Sequence, residues 1–262
     1  MQGITSLSAF PKSGVTYLSF LLFYSVFPDD RDIHDLERKY ILDIHAYPNA
    51  KFADSYAPRL IKSHFSYNPA IPAVRLTSRA IYLIRHPIDV MMSAWDFGHL
   101  IKGRAADTRS PEFRAFVRRW VMTGGDDAFG GFGSWVQHVR SWHGQANIPV
   151  HTVTYENLVD NPERELQAIL DFVGLNIATE RQRAAIQRSS MKSMAALESK
   201  EVENRIEGIF FNNSLAVGYG QGLRFINKGY RKSYETLLTE EERSIADKTF
   251  GSEIAKFFGN RS

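Results

Sequence analysis

Residues 4–10, ITSLSAF, form an apolar run that stops at Pro11; Ser13-Gly14 then precedes a second apolar run, LSFLLFYSVF, at 18–27. The first run reads as a buried strand, and the Ser-Gly turn opens a helix to about Phe27. The same order recurs downstream. RLIKSH (59–64) reads as a short strand. AIYLIR (80–85) is almost continuously apolar, as a strand covered on both faces requires, and Pro87 suits the first turn of a helix running to about His99. VHTVTYE (150–156) reads as a third core strand of this kind, and Asn161-Pro162 begins a helix that stops at Gly174. Strands alternating with helices imply a parallel sheet wrapped on both faces. The predicted class is α/β: a single domain over 1–262, with a central, mainly parallel sheet flanked by helices and a P-loop-like core.

The intervening segments are assigned more coarsely. Asp29 and Asp30 can cap a helix through Tyr40; 102–111 reads as a loop, 111–121 as a helix, 123–133 as a Gly-rich loop and 134–145 as a helix. Trp135, Val139 and Trp142 fall on one side of the last of these, which marks them as core rather than as ligand stackers. The remainder reads as helical apart from 202–232.

The chain has 262 residues, 44% of them hydrophobic, with 18 Phe, 11 Tyr and 4 Trp, enough for one sizeable core. Net charge is +3, but no Lys/Arg stripe is concentrated enough for nucleic acid. Cys is absent, which excludes disulfides and Cys-ligated metals. The longest apolar run is too short to span a bilayer and lacks the flanks of a signal peptide. A soluble, cytoplasmic protein is expected; oligomeric state is not readable.

Ligands of parallel α/β sheets sit beyond the C-terminal strand ends. Lys12, His64, Arg85 and Tyr155 all fall at or just past such ends, so four polar groups would converge on one crevice. In PKSGVTY, Gly14 lets backbone N–H groups turn towards an anion, the helix N-terminus adds its positive end, and Lys12, Ser13 and Thr16 add a charge and two hydroxyls. The triphosphate loop needs G-x-x-x-x-G-K-[ST]; here the first Gly is missing and Lys precedes the Gly. The phosphate expected is therefore not the end of an Mg-bound triphosphate, and an ordinary strand-turn-helix with a solvated Lys is the competing reading. In YLIRHPIDVMMSAWDF (82–97), Arg85 and Ser93 can hold a second phosphate; the plainer alternatives are a surface ion pair of Arg85 with Asp89 and a helix Ser bonded to its own backbone.

PKSGVTY followed at this distance by YLIRHPIDVMMSAWDF resembles the sulfotransferases that use 3′-phosphoadenosine 5′-phosphosulfate (PAPS). LIKSH (60–64), GSWVQHVRSWHG (133–144), VTYENLVDNPERELQAILDFVGL (153–175), SSMKSM (189–194) and RFINKGYRKSYETLLTEEE (224–242) resemble further segments of that family in the same order. The resemblance spans essentially the whole chain. It implies a PAPS 5′ loop at Lys12, Ser13, Gly14, Val15, Thr16 and Tyr17, with Tyr17 where the family usually has an adenine-stacking Trp. It implies a 3′-phosphate site at Arg85 and Ser93, joined by Asn227, Lys228 and Gly229. Tyr155, Ser189 and Met191 would lie on the adenine and ribose side.

The resemblance makes His64 the general base that takes the acceptor hydroxyl's proton, Lys12 the cation at the leaving oxygen, and Lys62 a helper at the sulfuryl oxygens. The acceptor would be a small molecule or glycan carrying a hydroxyl: a phenol, a natural product, a glycan or a glycolipid. No metal is expected, because a sulfuryl group carries less charge than a phosphoryl group. A small bacterial enzyme is the expectation. Asn227 stands where the family usually has Arg, so Arg224 or Arg231 could take over that contact; Lys232 and Tyr234 replace a Gly and a Trp; Phe65-Ser66 stand where many members have Leu-Pro. His34, Asp35 and His45 are other candidate bases, read more simply as solvated positions. Two other functions stay open: a P-loop-like kinase on a small alcohol, and a non-catalytic nucleotide-binding protein.

Overall fold

The structure, a computed structural model, describes residues 3–27, 32–49, 59–226 and 234–259. Its strands are β1 (Ile4–Ala9), β2 (Ile41–Asp43), β3 (Leu60–Ser63), β4 (Thr77–Ile84) and β5 (Val150–Thr154). They form one sheet in the order β2-β3-β1-β4-β5, with every neighbouring pair parallel. Register aligns the C-terminal ends: Ser8 of β1 pairs with Ser63 and Tyr82, and Ile84 pairs with Thr154. Whatever follows β1, β3, β4 and β5 therefore emerges on one edge. The chain moves to opposite sides of β1 to build β3 and β4, which places a topological switch point there.

The helices are α1 (Val15–Val26), α2 (Pro72–Arg75), α3 (Pro87–Lys102), α4 (Pro111–Thr123), α5 (Trp135–His143), α6 (Tyr155–Asp160), α7 (Pro162–Val173), α8 (Thr179–Arg188), α9 (Met191–Asn204), α10 (Ala216–Gly220), α11 (Tyr234–Leu237) and α12 (Glu240–Phe258). Alternation along β4 divides them into two layers. Ile81 and Leu83 join Leu7, Ala9 and Val153 in a core covered by α1, α7 and α9. Ala80, Tyr82 and Ile84 face the other way, into a core built from α3, α4, α5 and α12. A strand buried on both faces cannot alternate with polar residues, which is why 80–84 is apolar throughout. Trp135 and Trp142 are core, as expected, together with Trp95 and Trp120. No described helix is long and apolar enough to cross a membrane.

Several boundaries differ from the sequence reading. The helix expected up to Tyr40 is, over the described residues, a 3-10 turn (Ile33–Asp35) capped by Asp32 and a π turn (Leu36–Tyr40), which runs straight into β2. Tyr155 is not the end of a strand but the first residue of α6, because Thr154 accepts the N–H of Asn157 and caps a helix there. Asp126–Phe129 forms a 3-10 turn within the Gly-rich segment, and α9 carries helix on to Asn204.

Candidate active site

The turn from β1 into α1 is left-handed twice, at Lys12 (φ 68°) and at Gly14 (φ 97°). No side chain caps α1 at Gly14, which leaves the positive end of the helix dipole open to an anion. Ser13 is fully buried, and its Oγ has no hydrogen-bond partner among the described residues. A buried orphan hydroxyl in an anion loop fits a bound oxyanion. Gly14 is irreplaceable on two counts: a Cβ there would take a strained φ and would lie 2.4 Å from Cδ2 of Tyr155. Gly14→Ala is expected to cost about 1–3 kcal/mol of backbone strain alone and to push Tyr155 aside; thermal denaturation of the variant, with an unchanged midpoint as the contrary result, checks this.

A cleft of about 370 Å³ opens at these strand ends. Lys12, Gly14, Val15, Thr16, Tyr17, Lys62, His64, Arg85, Ser93, Tyr155 and Met191 line it. Eleven residues expected from five separate segments thus meet in one place. Ser13 and Ser189 are buried outside the lining, and the Ser189 Oγ also has no partner among the described residues. Asn227, Lys228, Gly229, Arg231 and Lys232 lie outside the described residues. Arg224 lines the cleft.

His64 follows β3 directly. Its Nδ1 sits 2.8 Å from the carbonyl oxygen of Ala9. A carbonyl only accepts, so Nδ1 carries the proton and Nε2 of the neutral ring is the basic nitrogen. Burial, then the Lys62 charge, push the imidazole pKa down to about 3, so the ring is neutral at ordinary pH. Helix α5 holds this segment at three points. His138 Nε2 donates to the His64 carbonyl (3.1 Å), Trp142 Nε1 donates to the Phe65 carbonyl (3.0 Å), and Ser141 Oγ accepts from the Tyr67 N–H (2.9 Å). Tyr82 of β4 in turn donates to His138 Nδ1 (2.8 Å), which fixes that ring's tautomer.

Lys12 reaches back across the cleft. Its Nζ lies 4.0 Å from the ring centre of Phe97 and 3.9 Å from that of Phe225. Burial, then the charges of Lys62 and Arg85, lower its pKa to about 7, with Asp96 opposing. Arg85 is buried rather than on the surface; its Nη1 donates to the Lys12 carbonyl (3.3 Å) and its guanidinium stacks 4.5 Å from the Tyr155 ring centre. The surface reading of Arg85 therefore falls.

Lys62, expected as a helper at the sulfuryl oxygens, lines the cleft and also carries two ion pairs. Its ammonium is bound by Glu37 (2.6 Å) and Asp43 (2.8 Å). Burial works against the charge, but the two carboxylates more than offset it and hold the pKa raised. Neither partner was legible, because one comes from the π turn and the other from β2.

Sequence reasoning passed over Asp96, Phe97, Phe129, Phe132, Met194, Phe225 and Ile226, all of which line the cleft, as does His45, named only as an alternative base. His45 is not a solvated loop residue. Its ring stacks on His64 at 5.4 Å, and its Nε2 accepts the His64 backbone N–H at 2.7 Å. His34 and Asp35, read as solvated positions, are instead paired: His34 with Glu201 (2.8 Å) and the buried Asp35 with Arg38 and Lys39. The Gly-rich segment brings Phe129 and Phe132 to the cleft wall.

A wholly parallel α/β sheet with a left-handed glycine turn into an uncapped helix, a buried Arg and a neutral His at neighbouring strand ends places the protein in the P-loop-like class. The family model for the sulfotransferase domain matches residues 5–258, and the chain belongs to that family. Sulfotransferase 1A1 of the dog, Canis lupus familiaris, is 29% identical over 202 residues, which cover 72% of this chain and 64% of that protein. Sulfotransferase 2A1 of Mus musculus is 25% identical over 202 residues, covering 76% and 65% respectively. The chain thus spans less than two thirds of the length of these relatives. Among solved structures, mouse sulfotransferase SULT7A1 complexed with PAP superposes with a TM-score of 0.65 at 18% identity, covering 97% of this chain and 85% of the other. Retinol dehydratase in complex with androsterone and inactive cofactor PAP gives 0.60 at 16% identity, with coverage of 97% and 81%. At these identities the likeness is one of fold.

Proposed function

We propose that the protein is a PAPS-dependent sulfotransferase, with residues 1–262 acting as one catalytic domain in the cytoplasm. The observation that carries this reading is the pairing, in one cleft, of a His64 ring whose basic Nε2 is set by the Ala9 carbonyl with a Lys12 ammonium on the anion loop. PAPS would supply an activated sulfuryl group and a phosphate leaving group. Ser13, Gly14, Val15 and Thr16 would hold the 5′-phosphosulfate, Arg85 and Ser93 the 3′-phosphate with Asn227, Lys228 and Gly229, and Tyr17, Tyr155, Ser189 and Met191 the nucleoside. The orphan Oγ of Ser13, the uncapped α1 and the buried Arg85 all suit anionic oxygens.

In this scheme the acceptor O–H gives its proton to His64 Nε2 as its oxygen bonds to sulfur. The bond from sulfur to the bridging phosphate oxygen breaks, and Lys12 meets the charge that develops on that oxygen. Lys62, already paired with Glu37 and Asp43, would act through the field it adds and through any remaining N–H it turns to the sulfuryl oxygens. No step needs a metal, since the sulfuryl group carries less charge than a phosphoryl group. His45 and Phe132 stand beside His64, at 5.4 and 6.1 Å between ring centres. These walls suit a flat apolar scaffold bearing a hydroxyl, such as a phenol or natural product, better than a sugar.

Binding separates this reading from a kinase. 3′,5′-Diphosphoadenosine is expected to raise the melting temperature, whereas Mg·ATP is not; the reverse pattern would sink the proposal. Arg85→Ala should weaken 3′,5′-diphosphoadenosine by at least about tenfold and an analogue lacking the 3′-phosphate much less. Equal losses would remove Arg85 from that phosphate.

A further inference from the structure

Helix α9 carries two carboxylates that its own backbone does not need. Glu198 and Glu201 lie one turn apart and are 1% and 0% exposed. A buried carboxylate is costly unless its oxygens are bonded, so where these oxygens go is informative. Glu201 accepts the N–H groups of Ile209 (3.2 Å), Phe210 (2.7 Å) and Phe211 (3.1 Å). Its segment ends in the core, where Phe210 is fully buried. Glu198 accepts the N–H of Phe225 with Oε1 and the N–H of Ile226 with Oε2 (3.0 Å). Its segment ends at the cleft, which Arg224, Phe225 and Ile226 all line.

The two carboxylates thus do the same thing to different effect. The Phe225 ring held by Glu198 stands 3.9 Å from Lys12 Nζ, edge-on to Phe97 at 5.8 Å, and Phe97 covers the ammonium at 4.0 Å. The first turn of the same helix supplies Met191 and Met194 to the cleft. One helix therefore lines the cleft with its first turn and, through Glu198 further along, holds the Phe225–Ile226 part of the lining.

We propose that Glu198 is a positioning residue of the donor site: it fixes the backbone at Phe225 and Ile226, and thereby the aromatic pair that encloses the Lys12 ammonium. The inference rests on the PAPS reading for its consequence in catalysis, but the enclosure of Lys12 is a property of the protein alone. Other charges facing Lys12 are Lys62 after Ile61 on β3, Arg85 beyond β4 and Asp96 on α3. Glu198 itself faces Tyr219 and Arg224 as well as the two N–H groups, and its proposed route to Lys12 runs through the Phe225 ring.

The test uses Glu198→Gln, which keeps size but replaces one acceptor oxygen by an amide NH₂, and Phe225→Leu, which removes the ring directly. Two quantities are read. One is the pH midpoint of Lys12 acetylation by a small amine-reactive ester, followed by peptide mass spectrometry without nucleotide. The other is the Kd for 3′,5′-diphosphoadenosine. Loosening the wall hydrates Lys12, so the acetylation midpoint should rise by roughly one pH unit or more in both variants. The Kd should weaken by about tenfold. A merely structural Glu198 would lower the melting temperature and leave the Lys12 midpoint in place. If Glu198→Gln keeps both wild-type values, the proposal is overturned; if that variant does not fold, unchanged values in Phe225→Leu overturn it instead. Failure of the unaltered protein to bind the nucleotide would count against the PAPS reading, while the Lys12 midpoint would still decide the role of Glu198.

Discussion

Replacing His64 by Ala is expected to lower turnover by about 10²- to 10⁴-fold, and to leave the affinity for 3′,5′-diphosphoadenosine within about twofold. That loss corresponds to about 3–5 kcal/mol of transition-state stabilisation. The split follows from position. His64 reaches the cleft from β3, beside His45 and Phe132, whereas the groups proposed to hold phosphate come from the β1 turn and from the end of β4. Its Nδ1 is committed to the Ala9 carbonyl, so only Nε2 can take a proton. With a pKa of about 3, the ring is in its basic form throughout the working range, and no acid limb should appear between pH 5 and 7. His64→Gln should fall with the Ala variant, since an amide has no basic nitrogen. Full turnover in His64→Ala would move the base elsewhere, and His45, whose Nε2 is engaged by the His64 N–H, would be the next residue to replace.

The parts of this site that the sequence made legible share one property: they sit at the C-terminal ends of strongly apolar strands. Ile81 and Leu83 alternate with Tyr82 and Ile84 into two different cores, so the whole of β4 had to be apolar, and Arg85 was conspicuous at its end. Lys12 and His64 were found in the same way after β1 and β3. β2 was missed because three residues carry no periodicity, and Ile41–Asp43 is strand only through its pairing with β3. That omission hid the partners of Lys62, because Asp43 belongs to β2 and Glu37 to the turn before it. Phe97, Phe132 and Phe225 escaped for another reason. A Phe on a helix or in an irregular segment has the same local signature whether it fills the core or walls a cleft, and only the packing of α3, α9 and the Gly-rich segment around Lys12 and His64 distinguishes the two.

The enclosure of Lys12 leads to the pH dependence expected of donor capture. Binding an anion needs the ammonium form, and burial together with Lys62 and Arg85 brings the Lys12 pKa down to about 7. The charge is therefore full below that value and is lost as pH rises through it. kcat/KM for PAPS, which reports the free enzyme, should be flat from pH 5 to about 6.5 and should fall about tenfold per pH unit well above 7. By pH 9 it should stand about 100-fold below its plateau. kcat should behave differently, because a bound phosphosulfate favours the charged form and moves the limb to higher pH. Lys12→Arg keeps the charge at every accessible pH, so its kcat/KM should lose the alkaline limb even where its plateau is lower, since a guanidinium cannot reproduce the point charge of an ammonium. An alkaline limb near pH 7 that persists in Lys12→Arg would assign it to another group. A wild-type profile that stays flat to pH 9 would mean that the Phe97 and Phe225 rings do not withhold water from Lys12 in solution.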